Sequence, residues 1–168
     1  MIDAQVPWAF TCGNHDIEAE FTGRQIIDLD RSYNLSLTQQ GPMNITGTTN
    51  YNLPIYSSDS DTEAKANIWV FDTGRHDCNG YFGYGCMESN QIDWYKSQSH
   101  DLPSVAFFHI PIPEYMALWN EHECLGTMGE SDVCCSSYNT GLFAAAKEMG
   151  DIKAMFCGHD HSNDYSGT

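Results

Sequence analysis

At 168 residues, with 41% apolar and 12% aromatic content, the chain holds enough material for one sizeable core and too little for two ordinary domains. Seven lysines and arginines against 23 acidic residues leave a formal charge of −16, which excludes a basic face for nucleic acid and repels any phosphate polyanion. No stretch approaches the roughly 20 apolar residues of a bilayer span, and an anionic ligand would have to meet its positive charge locally, most simply from bound metal ions.

Residues 6–12 are an apolar run ending at Gly13, which predicts a buried strand feeding a loop. Residues 23–31, with Ile26, Ile27 and Leu29 inward, predict a short helix, and the polar stretch 32–49 predicts loop. Residues 51–56 and the sheet-forming run Asn67-Ile68-Trp69-Val70-Phe71-Asp72 predict two strands paired as an antiparallel hairpin across a linker at 57–66. The glycine-rich stretch 75–88 predicts an ordered loop, and Ser89 the N-cap of a helix carrying Ile92, Trp94 and Tyr95. Residues 104–110 predict a strand stopped by Pro111 and Pro113, and residues 114–119 a helical turn or two. Residues 139–150 predict a helix with Leu142, Phe143, Ala146 and Met149 on one face and Gly150 at its end, followed by a strand at 152–157. Trp8, Trp69 and Trp94 are assigned to the core and His76, His100 and His122 to the surface. Strands alternating with helices, without repeats or heptads, make the fold class α/β or α+β.

Cys12 and Cys157 end apolar runs and read as buried thiols, whereas Cys78, Cys86, Cys124, Cys134 and Cys135 lie in polar segments, where such density predicts disulfides. A structural zinc site is disfavoured, since there is no Cys-x-x-Cys pair and Cys134 adjoins Cys135. Asn34-Leu35-Ser36 and Asn44-Ile45-Thr46 are glycan acceptor triplets. Together with the cysteines they predict a secreted or lumenal protein, its signal peptide expected upstream of Met1.

Three segments share one design, in which an apolar strand delivers metal-capable side chains just past its end. They are Cys12-Gly13-Asn14-His15-Asp16, Phe107-Phe108-His109-Ile110-Pro111 and Cys157-Gly158-His159-Asp160-His161. Loops at neighbouring strand ends converge in space, so the three can share a site. Alternate residues of an extended segment point the same way, which lets His159 and His161 face one cavity. Imidazole suits zinc and iron, an Asn amide oxygen can add a ligand, and Asp16 and Asp160 can hold neighbouring imidazoles in one tautomer. Glu114, Tyr115, Asn163 and Asp164 flank these blocks and are candidates for substrate contact.

Gly13-Asn14-His15-Asp16, then His109, then Gly158-His159-Asp160-His161 resembles the last three signature blocks of calcineurin-like metallophosphoesterases. The runs from Phe108 to Tyr115 and from His159 to Asp164 look like the purple-acid-phosphatase-related subgroup. The resemblance spans residues 6–165. It implies part of a four-layer α/β/β/α sandwich with mixed sheets, and a phosphate-ester substrate hydrolysed by attack of a metal-activated hydroxide. It implies that Asn14, His109 and His159 ligate one metal and His161 the other, while His15 protonates the leaving group and Asp16 tunes its orientation. The complete domain of such proteins holds two divalent or trivalent ions of iron, zinc or manganese. The family's opening Asp-x-His and Gly-Asp blocks do not lie upstream of Val6, so residues 1–168 are expected to be a single, N-terminally truncated domain that holds one ion and turns over weakly or not at all. The rival expectations are a non-catalytic protein-binding descendant of the fold and a small disulfide-framed binding domain.

Overall fold

The computed structural model describes residues 5–99, 101–121 and 123–168, the Asp61 side chain excepted, so that His100 and His122 lie outside the described residues. In chain order the elements are α1 (Gly23–Arg31), β1 (Tyr51–Ser57), β2 (Ser60–Val70), β3 (His76–Cys78), β4 (Tyr81–Tyr84), α2 (Ser89–Gln98), β5 (Ser104–Phe107), α3 (Glu114–Glu121), β6 (Cys124–Met128), α4 (Leu142–Met149), β7 (Ile152–Phe156) and β8 (Asn163–Gly167). Helix α1 starts where the sequence places it because Thr22 and Gln25 cap each other, each side chain accepting from the other's backbone N–H. Helix α2 starts at Ser89, but its cap is Glu88, one residue earlier than expected, with Gln91 closing the same reciprocal box.

Strands β1, β2, β5 and β7 form one mixed sheet in that order. β1 and β2 are the expected antiparallel hairpin, but β2 extends back to Ser60 and turns tightly opposite Ser57, so most of the expected linker is strand. β5 and β7 run parallel to β2, with Val70, Phe107 and Phe156 in one row. Three parallel strands therefore end together at one edge. On one face of this sheet Trp69 and Phe71 stack at 5.9 Å, and Tyr95 from α2 sets its edge against both, at 5.2 and 5.8 Å. Ala106, Phe108, Met87, Ile92, Leu142 and Ala145 complete this core. A buried aromatic or aliphatic side chain of this kind contributes roughly 1.5–3 kcal/mol. Asp151, immediately before β7, is buried and accepts from the Trp69 indole N–H (3.0 Å) and from the Tyr95 hydroxyl, which fixes the start of that strand.

Several expectations are corrected. Residues 6–12 make only a bridge at Trp8, opposite Ser36, because the neighbouring polar groups turn to hydroxyls: Phe10 N–H donates to Thr38 Oγ1 and Tyr51 donates to Phe10 O. Trp8 is not in the core; its indole N–H reaches Asp30 at 2.8 Å. The stretch 75–88 contains the β3–β4 hairpin, tied by a Cys78–Cys86 disulfide. Cys124, Cys134 and Cys135 carry no disulfide, and Cys157 is exposed as a residue although burial of its thiol pushes the pKa up to about 11. β6 and β8 pair antiparallel where no strands were expected. No helix of the described residues is long and apolar enough to cross a membrane.

Candidate metal centre

The strand-end loops are fastened to one another before any side chain reaches the site. Phe108 N–H donates to Phe156 O (3.1 Å) and Gly158 N–H to His109 O (3.0 Å), so the β5 and β7 exits run together for two further residues. Ile110 N–H donates to Thr73 Oγ1 at 2.9 Å, which adds the β2 exit. The Asp72 carboxylate collects the N–H groups of Thr48, Thr49 and Gly74. From the other direction Thr11 Oγ1 donates to Phe71 O at 3.0 Å and brings in the Gly13-Asn14 turn. A Cβ on Gly13 would meet the His109 ring at 3.1 Å, so glycine is what lets this turn lie against that imidazole.

Asn14 is 7% exposed, and its Oδ1 lies 2.8 Å from His109 Nε2 and 3.1 Å from His159 Nδ1. The two imidazoles stand edge to face with centroids 5.2 Å apart. Burial lowers the pKa of His109, helped by the neighbouring His159, and burial likewise lowers that of His159. Both rings are therefore neutral at neutral pH and keep a lone pair for a cation. An ion held at about 2.0–2.2 Å by nitrogen and oxygen puts adjacent ligand atoms about 3 Å apart, and Asn14 Oδ1 stands at that spacing from each imidazole nitrogen. The donor set, one amide oxygen and two neutral imidazoles, suits zinc, iron or manganese, so the residues present fit the implied metal. His159 adopts φ +75°, a conformation that costs a non-glycine residue roughly 1–3 kcal/mol and persists only where its surroundings impose it. One such constraint is Tyr84 of β4, whose ring meets His159 at 4.8 Å.

His15 and Asp16 do not join this trio. The His15 ring is 73% exposed, with Nδ1 2.9 Å from Glu18, and Arg75 reaches the same carboxylate at 3.3 Å. Asp16 accepts from Gly13 N–H at 2.7 Å and so shapes the turn that carries Asn14, while Glu18, which sequence reasoning missed, is the partner of His15. The i to i+3 spacing within a turn was the available signal. His161 is exposed, its backbone N–H bonded to Glu130 at 2.8 Å, and it lies near enough for its charge to oppose protonation of His109 and His159.

Glu130, Cys134 and Asp160 were also missed as a group; their ligand atoms lie within 4.8 Å of one another beside the histidine loop. Of the flanking residues, Tyr115 donates to Met155 O at 2.9 Å, Glu114 accepts from Asn139 at 2.9 Å, and Asn163 bridges Asp160 and Glu130, so these three support the fold around the site. Asp164 stands in β8 opposite Thr127.

The molecule is an α/β domain in which the loops after β5 and β7 and the Gly13-Asn14 turn bring one amide and two imidazoles together at one edge of a mixed sheet. The calcineurin-like phosphoesterase family model matches residues 1–163, and the chain belongs to that family. It is 31% identical over 189 residues to the probable inactive purple acid phosphatase 29 of Arabidopsis thaliana, covering 99% of this chain and 48% of the relative. Phosphatase DCR2 of Saccharomyces cerevisiae is 29% identical over 184 residues, covering 98% of this chain and 31% of the relative. The chain thus spans about half the length of the plant relative or less than that of the yeast one. No solved structure matches it.

Proposed function

We propose that this chain carries the amide-and-imidazole part of a metal-dependent phosphoester hydrolase site, acting on phosphate monoesters or diesters, and that the chain as given turns over weakly or not at all. The observation that carries the reading is the meeting of Asn14 Oδ1 with His109 Nε2 and His159 Nδ1 at 2.8 and 3.1 Å. When bound there, iron, zinc or manganese would neutralise ester oxygens and lower the pKa of a water from about 15.7 toward 7. Asn14, His109 and His159 would hold one ion, and His161 is assigned to a second. With Nδ1 held by Glu18, His15 leaves Nε2 toward solvent, where it would give a proton to the departing alcohol oxygen. Asp16 keeps the Gly13 N–H occupied and so holds Asn14 in place.

Weak turnover follows from the donor count, because His161 is the one residue assigned to the second ion. The word inactive in the names of the Arabidopsis relatives supports the same expectation. An aryl phosphate assayed with added zinc, manganese or iron tests it; brisk turnover abolished by His15→Ala would show that the expectation of weak catalysis is wrong. The Cys78–Cys86 disulfide, with Asn34 and Asn44 both exposed, supports a secreted or lumenal location. The word inactive likewise favours loss of catalysis, which leaves a second reading, a non-catalytic descendant of the fold that binds protein. Metal analysis of the purified chain separates the two, since a tightly held ion favours the hydrolase site and none favours the binding module.

A further inference from the structure

We propose that Glu130 is a positioning residue for the histidine loop, fixing residues 158–162 so that His159 Nδ1 aims at the Asn14 oxygen. Its Oε1 accepts from the backbone N–H of His161 (2.8 Å) and of Ser162 (3.1 Å), the two peptide groups that follow Asp160. The bond works in both directions along the loop. Glu130 N–H donates to Asn163 Oδ1 at 3.0 Å, and the Asn163 amide donates to Asp160 Oδ2 at 2.9 Å and to Asp132 O at 3.1 Å. The Asp160 carboxylate in turn accepts from Cys134 N–H at 3.2 Å. Gly129 N–H donates to Ser162 O at 3.0 Å, and a Cβ at position 129 would meet that oxygen at 2.6 Å, so the two segments lie too close for any side chain there. These bonds continue the β6–β8 ladder beyond its last pair, Met128 with Asn163, into the metal loop.

The strained backbone of His159 gives the clamp its purpose. A left-handed conformation at a histidine relaxes unless the peptide groups after it are held, and Glu130 holds two of them. The Glu130, Cys134 and Asp160 atoms that face each other are therefore committed to fixing the loop; Cys134 Sγ lies 3.6 Å from Glu130 Oε2.

The proposal rests on the metal reading, and the test keeps the two apart. Zinc is titrated into the full chain as wild type, Glu130→Ala and Glu130→Gln, and amide hydrogen exchange across residues 158–163 is followed in the metal-free chains. Glutamine keeps an acceptor oxygen for both N–H groups. The expected result is zinc affinity weakened about ten-fold or more in the alanine variant and within about three-fold of wild type in the glutamine variant, with His161 and Ser162 exchanging faster in the alanine variant alone. Equal zinc affinity in wild type and Glu130→Ala, or an equal loss in both variants, would overturn the proposal. A wild-type chain that binds no zinc would remove the metal reading instead; unchanged exchange in Glu130→Ala would then still overturn the clamp.

Discussion

Asn14 sits at the centre of the site because its amide oxygen lies within hydrogen-bond reach of both His109 and His159. Replacing it with alanine leaves two imidazoles with no oxygen between them, and zinc affinity measured by calorimetry is expected to fall about ten-fold or more, in the range common for lost ligand-shell partners. His15→Ala should behave in the opposite way, leaving zinc affinity unchanged, because that ring points to solvent and bonds Glu18. At this scale the sequence was informative about residue type and less so about partnership. Asn14, His109 and His159 are legible because a glycine or a strand end marks each one. Glu130 is not, because a carboxylate in a polar loop looks the same whether it is solvated or holding two peptide N–H groups.

The elements legible in the sequence are those whose own residues carry an apolar or sheet-forming run. Helix α1, the β1–β2 hairpin, β5 and β7 are of this kind. β6 and β8 are not: Gly126 interrupts Cys124-Leu-Gly-Thr-Met128, Asn163-Asp-Tyr-Ser-Gly167 is polar, and they become strands only by pairing with each other across the intervening α4 and β7. The converse error is residues 6–12, an apolar run that bridges only at Trp8 because the backbone groups of Phe10 are taken by the hydroxyls of Thr38 and Tyr51. The β3–β4 hairpin depends on a covalent tie that cysteine spacing alone does not assign. A Cys78→Ser, Cys86→Ser double variant should lose roughly 2–3 kcal/mol in urea denaturation, the chain-entropy contribution for a loop of this size. It should also loosen Tyr84, which packs on His159 from the same hairpin.

For the molecule as a whole, the buried carboxylate of Asp151 ties sheet to helix. Asp151→Asn would put an amide N–H₂ against either the Trp69 indole or the Tyr95 hydroxyl, both donors to the native carboxylate. A loss of about 1–3 kcal/mol is expected in chemical denaturation, from a buried donor left without an acceptor. If stability is unchanged, the account of how β7 is anchored is wrong.

The contact between Asn14 and His159 joins residues 145 positions apart. A cation gripped there would close residues 14–159 into a single ring, and in the denatured ensemble that ring does not exist. An ion held there would act as a non-covalent cross-link between residues 14 and 159, adding about 2.7 kcal/mol when its free concentration is a hundred times the dissociation constant. Heating the zinc-loaded chain with and without a chelator should show this as one cooperative transition that moves to lower temperature when zinc is stripped away. A transition in the same place under both conditions would mean that Asn14 and His159 are not joined through that cation.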